Sequence, residues 1–79
     1  MTMRNDLIAS KFAAITPSDS AQVDFVKVYV GGTGNVVAAG EDGTAVTFTA
    51  CPVGFVIEGH IILVKATGTT ATNLIGYKA

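Results

Sequence analysis

The chain has 79 residues, of which 49 % are apolar and 14 % charged, with a formal net charge of −1. Its only cysteine is Cys51 and its only histidine His60, so an internal disulfide and a structural zinc site are both excluded. The sequence has no basic cluster or aromatic-plus-arginine stripe to favour nucleic acid, and no apolar run near the ~18 residues of a membrane span.

A domain of this size buries only about 60 % of the surface its unfolded chain exposes. Its charged fraction falls well below the ~25 % of ordinary soluble domains. The apolar excess predicts exposed patches larger than a soluble monomer tolerates, and hence a homo-oligomer. The N-terminus carries Asp6 early and lacks a signal-peptide apolar core, so the chain is expected to act without secretion.

Along the chain, residues 1–22 read as an N-terminal arm and residues 23–79 as a β-domain. Leu7, Ile8, Phe12 and Ile15 are spaced among polar residues, and Thr16-Pro17-Ser18-Asp19-Ser20 is a turn or linker signal. A short helix over Leu7 to Ala14 is disfavoured, because Pro17 opposes helix at Thr16 and no cap precedes Leu7. An extended arm is expected, with those four apolar residues as anchors on a neighbouring subunit or another protein.

From Val23 onward the period is two. Val26, Val28 and Val30 alternate with Lys27 and Tyr29. Gly31-Gly32-Thr33-Gly34-Asn35 interrupts the pattern and reads as a hairpin turn of residues that tolerate positive φ. Val36 to Ala39 is a second strand, and Gly40-Glu41-Asp42-Gly43 contains the Asp-Gly hairpin signal. Thr44 to Ala50 follows, with Val46 and Phe48 on one face and Thr47 and Thr49 on the other.

Pro52-Val53-Gly54 ends that strand. Phe55 to Glu58 and His60 to Ala66 are two strands, or one long strand bulged at Gly59. Thr67 to Thr70 is a polar turn, and Asn73 to Tyr77 closes the chain. Five to six strands with short turns predict an all-β fold, a small antiparallel β-sandwich or barrel with an extended N-terminal arm.

His60 to Ala66 is apolar on both faces. Lys65 is expected to point outward and set the register, which assigns Ile62 and Val64 to the core. Ile61 and Leu63 then fall on the outer face as candidate residues of an oligomer or other protein interface.

No constellation carries catalysis. Gly31 to Gly34 lacks the following helix that a phosphate loop needs. Glu58 and His60 could share a strand face as an acid/base pair, but no nucleophile or oxyanion hole accompanies them, and a bulge at Gly59 would place them on different faces. Glu41 and Asp42 supply too few oxygens for calcium, and Cys51 reads as a small buried apolar residue. No catalytic, cofactor-binding or metal-binding residue is assigned, and no cofactor is expected.

The order of motifs is more informative than any one of them. Phe12-Ala13-Ala14-Ile15-Thr16-Pro17-Ser18-Asp19 is followed by Val28-Tyr29-Val30-Gly31-Gly32-Thr33-Gly34-Asn35-Val36. Val46-Thr47-Phe48 comes next, with Pro52 and Gly54 after it, then Ala66-Thr67-Gly68-Thr69-Thr70-Ala71-Thr72. Over Phe12 to Tyr77 this arrangement resembles the head-spike base and capsid decoration proteins of tailed phages and gene transfer agents.

The resemblance implies a non-enzymatic virion protein on the capsid exterior, produced in the host cytoplasm. Its implied partners are itself, as a homo-trimer or homo-pentamer, the major capsid protein and, where a spike is carried, a head fibre protein. A cement protein seated between capsomers fits equally. The alternative is a carbohydrate-binding module for host-surface attachment. The absence of Trp and the scarcity of aromatic residues count against it.

Overall fold

A computed structural model of the chain describes residues 11–78. They form strands β1 (Lys11–Ala14), β2 (Phe25–Tyr29), β3 (Gly34–Ala39), β4 (Ala45–Cys51), β5 (Val56–Ile61), β6 (Leu63–Val64) and β7 (Ile75–Lys78), and no helix. One sheet has the order β1-β7-β2-β5 and the other β4-β3-β6, with every pairing antiparallel. The expected all-β antiparallel fold is therefore present, as two sheets and with seven strands where five to six were expected.

The two sheets share one core. Phe25, Val28, Ile57 and Ile61 enter it from the four-stranded sheet, and Val36, Ala38, Cys51 and Val64 from the three-stranded one. Val28 and Val30 are completely buried, as the alternation around them predicts. Val26 is only half-buried, because a bulge sets Gly59 and His60 against it between the Phe25–Ile61 and Lys27–Glu58 partners. Phe25 takes the inward place instead. Gly59 has a φ of 138°, a conformation that side chains other than hydrogen resist.

The expected hairpin at Gly31 to Gly34 is instead a crossover from one sheet to the other, since β2 and β3 belong to different sheets. None of these glycines has positive φ. They provide clearance: a Cβ at Gly31, Gly32 or Gly34 would overlap Asn73, Thr72 or Ala71, against which this segment runs. The Asp-Gly hairpin does form. Gly43, at φ 80°, donates its amide to the Gly40 carbonyl at 2.9 Å, and Asp42 Oδ1 accepts from the Thr44 amide at 3.0 Å.

The outward placement of Ile61 is corrected. Its side chain is buried in the core together with Val64, and Ile62 and Leu63 between them are half-buried. The reason is a change of sheet. Ile61 ends β5 in the first sheet, and Leu63 begins β6 in the second, paired with Ala39. At the joint, the Ile62 amide bonds the Ala39 carbonyl while its carbonyl accepts from the Val23 amide. A bend between layers lets one core receive both parities of a strand, which a one-layer sheet forbids.

Part of the arm is also stitched to the domain. Phe12 pairs with Tyr77 and Ala13 with Gly76 in the β1–β7 ladder. Ile15 packs against the chain's own core and bonds the Leu74 carbonyl at 2.9 Å, so it is not a free anchor. Further on, Ser18 donates to the Val64 carbonyl, and Asp19 accepts from the Thr67 amide and hydroxyl at 2.9 and 2.6 Å. Those two donors hold the Asp19 carboxyl below its ordinary pKa. Leu7 and Ile8 lie outside the described residues.

Candidate interaction surface

Cys51 is buried at 3 % exposure and its thiol bonds the Phe48 carbonyl, which leaves it a packing residue as expected. His60 is where the structure adds most. Its Nε2 lies 2.7 Å from Asp24 Oδ1, and its Nδ1 contacts Glu41 Oε2. Asp24 precedes β2, Glu41 sits in the β3–β4 turn and His60 is in β5, so the ring ties the two sheets together. Glu58, the partner considered from sequence, instead stands across the β2–β5 ladder from Lys27.

The Glu41 carboxylate, and after it Asp24, raises the His60 pKa above its ordinary value. All three side chains remain substantially solvated, His60 at 43 % and the acids more so. The described residues contain no His, Cys, Asp and Glu group suited to a metal ion.

The exposed surface is otherwise marked by apolar side chains. Phe12 is 70 % exposed and packs edge-on against Tyr77, their ring centroids 5.1 Å apart, on the β1–β7 edge. Val53 and Phe55 protrude from the turn between β4 and β5. Val46, more than half exposed, borders a groove of about 340 Å³ with Phe48 and Ile57 on its walls and Asp42, Glu58 and His60 at its rim.

Of the anchors named from sequence, Phe12 and Leu63 keep accessible surface, while Ile15 and Ile61 serve the chain's own core. Val46, Val53 and Phe55 were not singled out. Val46 alternates like an inward residue, and only its place on an outermost strand exposes it. The His60 partners lie 36 and 19 residues away, beyond any local pattern.

No family model matches the chain, and no curated protein does. Among solved structures it is similar to a chain of the one described as "Capsid of native GTA particle computed with C5 symmetry". The two are 32 % identical with a TM-score of 0.83, over 98 % of this chain and 92 % of the other. At that identity over nearly the full length of both, the chain belongs to the family of that gene transfer agent capsid chain, a family of capsid-associated proteins.

Proposed function

We propose that this protein is a structural component of the exterior of a phage-like capsid, a head-spike base or a cement protein. It acts by assembling with copies of itself and binding the major capsid protein. The near-full-length likeness to a chain of a gene transfer agent capsid carries this reading. The surface supports it, because the exposed apolar residues Phe12, Val46, Val53 and Phe55 surround a domain with few charges to keep it apart from partners.

The segment before Pro17 contributes to these contacts through Phe12 and through Leu7 and Ile8. Leu63, half-buried beside the sheet junction, is a further contact residue. Electron cryo-microscopy of particles made with and without this chain tests the reading. Density lost from the outside of the shell is expected. A shell whose outer surface is unchanged, with loss inside it or at the tail, would overturn it.

A further inference from the structure

An outermost strand leaves backbone amides and carbonyls unpaired, and proteins protect such edges with charge, proline, bulges or brevity. β5 carries Glu58, His60 and the Gly59 bulge against β2, and β6 has only two residues with Ser18 bonded alongside. β4 carries neither charge nor proline: Ala45–Cys51 is seven residues, exposed along most of its length, and its one irregularity sets Thr49 and Ala50 against Asn35 near its end, leaving Ala45 to Phe48 regular. β1, the outer strand of the other sheet, presents the exposed Phe12.

The hydrogen-bond directions identify which groups each edge offers. Val37 and Ala39 aim their carbonyls at the β6 side, accepting from Lys65 and Ile62. Val36 and Ala38 therefore face β4, and their partners Phe48 and Val46 face back. The alternation leaves the amide of Thr47, between them, aimed away from the sheet. In β1 the Ile15 amide bonds Leu74, so Ala13 also faces β7, and Phe12 and Ala14 offer their amides outward.

Charge distinguishes the two edges. Glu41 and Asp42 lie just ahead of the start of β4, and Glu58 lines the groove beside them. Lys11 heads β1 and stands directly opposite Lys78 in the β1–β7 ladder. Two like charges in that relation repel, and an acidic neighbour would relieve them.

We propose that copies of this chain join head to tail, the edge of β1 in one copy adding in parallel to the edge of β4 in the next. Lys11 and Lys78 of the first copy then face Glu41 and Asp42 of the second, which fixes the parallel sense. This rests on the homo-oligomer reading above and supplies its contact. Because the two edges differ, the interface is heterologous, and repeated contacts close into a ring when the rotation allows.

Thr47→Pro and Ala14→Pro test it, since each deletes an amide that its own sheet does not use. By light scattering after size exclusion, the wild type should have a multi-copy mass and each variant the mass of a folded monomer with an unchanged β-sheet spectrum. Carbodiimide should join Lys11 or Lys78 of one copy to Glu41 or Asp42 of another, read by mass spectrometry on mixed isotopically labelled wild-type chains, which decides the matter if a proline variant fails to fold. Oligomers that survive both substitutions, or wild-type oligomers without those cross-links, overturn the strand pairing and leave the homo-oligomer reading standing. A wild type that is monomeric at micromolar concentration overturns both. If such a monomer binds capsids and Thr47→Pro abolishes binding, the occupant of β4 is a capsid-protein strand and the second-copy proposal is wrong.

Discussion

Ile61 and Val64 stand three residues apart and bury their side chains in the same core, at 4 % and 2 % exposure. Period two would place them on opposite faces, and the bend at Ile62 reconciles them by carrying the chain from one sheet to the other. Ile61→Lys should therefore prevent folding, and Ile61→Ala should cost about 2–5 kcal/mol in urea denaturation. Leu63→Lys should keep the β-sheet circular dichroism spectrum. A folded Ile61→Lys protein would show that the core does not depend on this junction.

Much of the fold was legible because it is written locally. The Asp-Gly turn at Asp42 and Gly43, the alternation through Val28 and Val30, and the break at Pro52 each act within a few residues. The sheet junction was not, since Ile61 to Val64 reads as one continuous strand, and its bend depends on Ala39 and Val23 from elsewhere in the chain. The crossover at Gly31 to Gly34 was hidden for a related reason: glycine for clearance and glycine for positive φ look alike in sequence. The His60 contacts and the exposure of Val46 follow from strand order, which a single sequence does not specify.

The His60 contacts give stability a pH dependence of definite sign. The folded-state pKa is raised by Glu41 and Asp24, so their stabilising effect is fully present below the ordinary imidazole value of about 6.5. It is lost as pH rises through the folded-state value. The gap in Tm between wild type and His60→Gln should be widest near pH 6 and close above that higher value. The solvated setting makes it small and sensitive to salt. A gap that is constant from pH 6 to pH 9 would show that protonation of the ring plays no part.

Two N-terminal truncations should separate arm from domain. Removing residues 1–10 leaves the β1–β7 ladder and Ile15 in place, so thermal stability should change little. Removing residues 1–16 also strips β1 from the sheet and takes Ala13 and Ile15 off the core. Loss of two partly buried apolar side chains and a strand ladder should lower stability by several kcal/mol, on the order of 2–4. Equal melting temperatures for the two truncations would mean that β1 contributes nothing to the domain.

The most direct test is sedimentation of the purified wild-type protein with empty capsids that lack it. The chain should pellet with the particles, saturate at a fixed number of copies per shell and leave its excess in the supernatant. Binding from outside to closed shells requires an exterior site and no co-assembly. Protein that stays in the supernatant at every ratio, or pellets without saturating, would contradict the capsid-binding role.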